Sequence, residues 1–222
     1  MNRYAIIVGA GKGERMGSDI PKQFLELNGL PVLMHTMRRF HESVSPRLIL
    51  VLNVHFHDYW EGLCDQYDFR IPHELIKGGV TRFDSVKKGL KAVKGKGVVA
   101  VHDAVRPLAS HQLIRNCFET AREKGSAVPA VPSRESLRRG SLDRSESVSR
   151  DEYFLVQTPQ CFDSTLLRRA YRQEFRNEFT DDASVVERSG QPIQLVEGEF
   201  NNIKITYPDD FRIAELLLTD KK

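Results

Sequence analysis

Tyr4-Ala-Ile-Ile-Val-Gly-Ala-Gly-Lys-Gly-Glu-Arg-Met-Gly-Ser-Asp-Ile-Pro-Lys-Gln-Phe24 is the stretch on which the reading of this chain turns. A short apolar run, Tyr4 to Val8, leads into a loop that holds Gly9, Gly11 and Gly13 together with Arg15 and Lys22. Glycines at this spacing let the backbone approach a ligand closely and leave N–H groups free to face anionic oxygens. A strand followed by such a cradle predicts phosphate binding at the carboxyl end of a parallel sheet.

The cradle is neither of the two commonest kinds. A P-loop requires Gly-Lys-Ser/Thr, but Gly13 precedes Glu14 and Gly17 precedes Ser18. A dinucleotide fingerprint requires a third glycine three residues after the second, and those positions hold Glu14 or Met16, depending on the starting pair. The next apolar run, Leu48 to Leu52, ends in Asn53 instead of an acid for a ribose 2′-hydroxyl. Both readings weaken, leaving a loop with two conspicuous cations. Lys22 follows Pro21, which fixes its own φ and biases Ile20 toward extended geometry.

Outward from this loop, short apolar runs alternate with amphipathic segments, the pattern of an α/β domain with a mostly parallel sheet flanked by helices. Strands are predicted at 4–8, 48–52, 74–76, 98–102, 127–131, 154–156, 193–196 and 203–206. Helices are predicted at about 32–43, 57–67, 82–93, 111–124, 164–175, 182–188 and 209–218. Thr81 with Asp84, Ser110 and Asp163 supply start signals, and Gly125 and Gly190 supply stops. From Ser133 to Arg150 the alternation breaks into a basic stretch with five arginines, which reads either as a solvated loop or as a projecting hairpin turning near Gly140.

The 222 residues suit one large domain with a real core. With 33 basic and 30 acidic residues the net charge is +3, too balanced for a protein that coats nucleic acid. Cys64, Cys117 and Cys161 form no CxxC pair and no even set, as expected of thiols in a reducing compartment. No apolar run reaches membrane-spanning length and no leader is recognisable, so a cytoplasmic protein without membrane contact is expected.

Ligands in open parallel sheets sit beyond the carboxyl ends of the strands. Seven groups of residues here fall at such positions or close to them. The ordered set is Gly9-Ala-Gly-Lys-Gly-Glu-Arg-Met, Pro21-Lys-Gln-Phe, Gly79 with Arg82-Phe-Asp-Ser-Val, His102-Asp-Ala-Val-Arg-Pro, Thr158-Pro-Gln, Thr180-Asp-Asp-Ala-Ser and Asn202-Ile-Lys-Ile-Thr. In this order it resembles the motif series of the 2-C-methyl-D-erythritol 4-phosphate cytidylyltransferase family, over about residues 4 to 218. The resemblance implies a single Rossmann-like nucleotidyltransferase domain over 1–222, with a dimerisation β-arm at about 133–152.

The resemblance also implies roles. Family members join the cytidylyl group of CTP to an acceptor phosphate and expel pyrophosphate, a reaction carried mainly by positioning and by cations. Arg15, Lys22, Arg150 and Lys204 match the catalytic positions. Gly9, Ala10, Gly11, Gly13, Gly79, Ser85, Asp103 and Ala104 match nucleotide-binding positions, although Val80 stands where the family often has an acid. Asp103, Arg106, Thr158 and Thr180 match acceptor-binding positions. A divalent cation, Mg2+, is expected to arrive with CTP and be held mainly by its phosphates, without a dedicated protein cage and with Asp103 as an optional ligand. The arm of a homodimer would bring Arg150 into the partner's site.

The expected acceptor is 2-C-methyl-D-erythritol 4-phosphate, in the non-mevalonate isoprenoid pathway. Ribitol 5-phosphate is the alternative, because cytidylyltransferases of that polyol phosphate share the same motifs. A nicotinamide oxidoreductase would need the absent fingerprint. A nucleic-acid-binding module would use the arm's arginines but leave the strand-end motifs without a purpose.

Overall fold

The computed structural model describes residues 1–11 and 20–219. In chain order these form β1 (Asn2–Gly9), β2 (Glu26–Leu27), β3 (Leu30–Pro31), α1 (Val32–Val44), β4 (Arg47–Leu52), α2 (His57–Gln66), β5 (His73–Lys77), α3 (Arg82–Gly89) and β6 (Gly97–Asp103). There follow α4 (His111–Lys124), β7 (Ser126–Pro132), β8 (Leu137–Gly140), β9 (Ser145–Val148), β10 (Phe154–Val156), β11 (Gln160–Asp163), α5 (Ser164–Ala170), α6 (Asp182–Arg188), β12 (Leu195–Glu197) and α7 (Pro208–Thr219).

The main sheet has the order β10-β7-β11-β6-β1-β4-β5, with β12 added beside β7. β1 lies between β4 and β6 and is parallel to both, in registers that set Ile6 beside Ile49 and Val101. Strands this central are covered on both faces, which is why Tyr4 to Ile7 form a continuous apolar run without alternation. Side-chain alternation then divides the core. Ala5, Ile7, Leu48 and Leu50 face α1, α2 and α4, whereas Tyr4, Ile6, Ile49 and Val51 face α3, α5 and α6.

Two predictions about strands change. Residues 203–206 are not a strand: Ile205 makes one backbone bond, N to Val105 O at 3.0 Å, and packs with Leu27, Val105 and Ala214 under α7. Its apolar pattern served a local cluster instead of a ladder. Conversely, β11 has no alternating signature, yet it fills the slot between β6 and β7, antiparallel to both, where two strands supply hydrogen-bond partners. Helices α3 and α5 also stop several residues earlier than the amphipathic pattern extends.

The basic segment contains a hairpin, β8 paired antiparallel with β9. Gly140 sits in the turn at φ +133°, and a Cβ there would lie 2.3 Å from the Arg144 carbonyl oxygen. No helix among the described residues is long and apolar enough to cross a membrane.

Candidate active site

The carboxyl ends of β1, β4, β5 and β6 open together on one edge of the sheet, around a cavity of about 800 Å³. Gly9, Ala10, Gly11, Lys22, Gly79, Ser85, Asp103, Ala104 and Lys204 all line it. Gly13 and Arg15 lie outside the described residues.

Gly9 is glycine for space. A Cβ would meet Leu52 Cδ2 at 2.9 Å and Ala104 Cβ at 3.0 Å, so the close approach of three strand ends requires a hydrogen at that position. The Gln23 side-chain amide donates to the Gly9 carbonyl at 2.9 Å and ties the returning chain to the strand end. Phe24 anchors that return, its ring 5.3 Å from Tyr59 and 5.6 Å from Phe56. Lys22, just before them in the same short turn, is thereby held in the cavity wall, mostly buried.

Opposite it, the turn before α3 is tied down by its own side chains. The Gly79 N–H donates to Ser85 Oγ at 3.0 Å, and the Ser85 hydroxyl donates to the Thr81 carbonyl at 3.0 Å. Thr81 and Asp84 form a reciprocal capping box at the α3 N-terminus. A Cβ on Gly79 would lie 2.2 Å from Asp84 Cβ, so this turn also closes too tightly for a side chain. Val80 is fully exposed at the lip.

Asp103 ends β6 and is the electrostatic hub. Lys204 Nζ is 3.0 Å from Oδ2, Arg106 Nε 3.4 Å from Oδ2 and Arg82 Nε 3.7 Å from Oδ1. Burial alone would raise the Asp103 carboxyl, but Arg82, Lys204 and Arg106 outweigh it and hold the group well below the ordinary carboxylate range. Arg106 is further fixed by donating to the Asn202 carbonyl at 2.7 Å. Among the described residues no group of three or more His, Cys, Asp or Glu side chains is arranged to hold a metal ion. Asp103 is the acid lining the cavity there, and its three cations leave it poorly suited to capture a metal alone. That donor set fits a cation brought mainly by phosphates.

The remaining expected site residues lie elsewhere. Thr158 is buried behind Asp103, where its Oγ1 accepts the Asp103 N–H at 3.2 Å and donates to His102 Nδ1 at 2.9 Å. Thr180 is exposed just before α6, and Arg150 lies in the arm, donating to the Arg134 carbonyl at 2.8 Å. Neither lines the cavity. Sequence reasoning quoted Arg82 without giving it a role, yet it lines the cavity and pairs with Asp182 Oδ2 at 2.7 Å. The signal missed was a second acid, Asp182, distant in sequence but present in a quoted motif.

Comparison with known proteins identifies the family. The sequence model of the 2-C-methyl-D-erythritol 4-phosphate cytidylyltransferase family matches residues 4–220. The protein of that name from Phocaeicola vulgatus is 50% identical over 219 residues, covering 98% of this chain and all of the relative. The one from Bacillus velezensis is 41% identical, with 98% and 96% covered. Among solved structures, the Thermus thermophilus enzyme of the same name superposes with a TM-score of 0.78 at 31% identity, covering 99% and 100%. The Francisella tularensis enzyme gives 0.82 at 29%, covering 98% and 100%. The helix-flanked, mostly parallel sheet is thus the Rossmann-like nucleotidyltransferase fold, and the chain belongs to the 2-C-methyl-D-erythritol 4-phosphate cytidylyltransferase family.

Proposed function

We propose that this protein transfers the cytidylyl group of CTP to 2-C-methyl-D-erythritol 4-phosphate, giving 4-diphosphocytidyl-2-C-methyl-D-erythritol and pyrophosphate. The observation that carries the reading is the convergence of Lys22, Arg82 and Lys204 on one cavity at the carboxyl edge of a parallel sheet, in a chain of this family. An acceptor phosphate oxygen attacks the α-phosphorus and forms the new P–O bond. The bond from the α-phosphorus to the oxygen bridging the α- and β-phosphates breaks, and that oxygen leaves with the electron pair on pyrophosphate.

In this reading Gly9, Ala10, Gly11 and Gly13 cradle the triphosphate, and Arg15 and Lys22 meet the charge that grows on the α-phosphate. Gly79 and Ser85 hold the turn beside the base. Asp103, with Ala104 beside it, faces nucleotide and acceptor, while Arg106 and Lys204 orient the acceptor phosphate. Thr180 extends the acceptor side at the rim, and Thr158 acts from behind by fixing Asp103. A divalent cation, Mg2+, would neutralise phosphate oxygens, and Asp103 would be the cavity carboxylate available to help hold it.

We further read the chain as one nucleotidyltransferase domain that works as a cytoplasmic homodimer, with the arm at 133–152 carrying Arg150 into the partner's site. Phe154, Leu155 and Val156 support this, since all three side chains of β10 are about half exposed, next to the exposed Tyr153. An apolar strand of that kind favours burial against a second copy.

Pyrophosphate release across nucleotides and polyol phosphates tests the proposal. CTP with methylerythritol phosphate is the expected pair, because the relatives bear that acceptor's name. Turnover with ribitol 5-phosphate and none with methylerythritol phosphate would overturn it.

A further inference from the structure

Asp182 is the first residue of α6, fully buried, and its carboxylate has two tight partners. It accepts from Arg82 Nη2 at 2.7 Å and from the Tyr171 hydroxyl at 2.6 Å. The Tyr171 ring is itself fixed, stacked on Phe83 at 4.7 Å between centroids with 23° between the planes. Arg82 is the first residue of α3, next to the capping box, and its partly exposed side chain lines the cavity. Asp103 approaches its Nε edge, so two carboxylates on different elements grip one guanidinium.

We infer that Asp182 is a positioning residue for the nucleotide: it holds the Arg82 guanidinium in the cavity wall and keeps it from folding wholly onto Asp103. This rests on the CTP site proposed above. An ion pair with one fully buried partner is a poor source of stability, because desolvation of that carboxylate takes back much of the attraction. Two-point anchoring of a planar guanidinium does set its orientation closely. It also divides the charge in a useful way. With Arg82 shared between two acids, Asp103 stays close to Lys204 and Arg106 on the acceptor side, while the solvent-facing edge of Arg82 meets nucleotide oxygens. Such a contact exists in ground and transition states alike, so its loss raises KM for CTP more than it lowers kcat.

The test is steady-state kinetics on the full chain with pyrophosphate release as readout. CTP-dependent turnover by the parent checks the underlying reading, and ratios among variants check Asp182. Asp182→Asn is expected to raise KM for CTP about tenfold, with kcat within about threefold and acceptor KM unchanged. In an Arg82→Ala background, adding Asp182→Asn should change KM for CTP by less than about twofold, because the effect passes through Arg82. Tyr171→Phe keeps every charge, and with the Asp182 grip loosened it should give a rise of about threefold that also vanishes in the Arg82→Ala background. If Asp182→Asn yields no folded protein, Tyr171→Phe carries the test alone. An unchanged KM for CTP in the folded variants, or effects that add to that of Arg82→Ala, overturns the inference.

Discussion

His102 shows how a side chain that never reaches the cavity shapes it. Its Nε2 lies 3.1 Å from the Arg106 carbonyl and its Nδ1 accepts from Thr158, so the neutral ring with its proton on Nε2 satisfies both contacts. Burial pushes its pKa from 6.5 down to about 4, against the smaller favourable contact with the Arg106 carbonyl. The unfolded chain therefore takes up a proton first as pH falls below about 6.5, and folding stability should decline from there to about pH 4, by up to about 3 kcal/mol from this group. Chemical denaturation between pH 7 and 4, with an NMR titration of the ring, checks this; a ring titrating near 6.5 in the folded protein rules it out. Asp103 acts in a lower window, since its depressed pKa contributes stability above the ordinary carboxylate value that is lost only as pH falls through and below it. Under the proposed function Lys22 acts in the chemistry itself. Lys22→Ala should lower kcat by roughly 10²- to 10³-fold with a smaller change in CTP affinity, as single-turnover and binding measurements would reveal.

At the scale of elements, α3 forms one wall of the cavity, and its start is secured by Thr81. Removal of that hydroxyl in Thr81→Ala deletes the cap bond to the Asp84 N–H and should cost about 1 kcal/mol in denaturant unfolding. Because Ser85 also bonds the Thr81 carbonyl, KM for CTP should rise in the same variant, whereas an exposed cap far from the cavity would leave it unchanged. The α3 cap was legible in sequence as Thr81 three residues before Asp84. The two-stranded arm was legible as one of two readings, a hairpin turning near Gly140. Arg139 pairs with Glu146 across it and Arg138 bonds Ser145, yet an isolated hairpin of this length is marginal in water. At its base, the Arg134 guanidinium lies 3.4 Å from the centroid of the Phe200 ring and fastens the arm to the body.

For the whole molecule, the arm and the apolar β10 together are the features behind the proposed dimer. Mixing Arg150→Ala chains with Lys22→Ala chains should restore part of the activity that each variant lacks alone, because a mixed dimer keeps one intact composite site. Absence of recovery in dimers verified by mass would count against Arg150 acting across the interface. The same measurement gives the oligomeric state directly, since the chain mass is 25.4 kDa.

Read alone, the residues determined the parallel α/β architecture and the sheet edge that carries the site. Apolar runs broken by glycine-rich and charged strand ends are local signals, set by the burial of central strands and by the needs of phosphate. Gly9, Lys22, Gly79, Asp103 and Lys204 were legible for that reason. Tertiary structure alone decided how those residues combine. Asp182 and Arg82 are 100 positions apart in the chain, and only the packing of α6 beside α3 makes them a pair. Thr158 reads as a site residue because it stands in a motif, but the antiparallel insertion of β11 beside β6 turns its hydroxyl inward to Asp103 and His102. Strand β11 and the irregular run 203–206 follow the same logic, since a ladder forms where neighbouring edges offer partners, and spacing along the chain carries no record of which edges will meet.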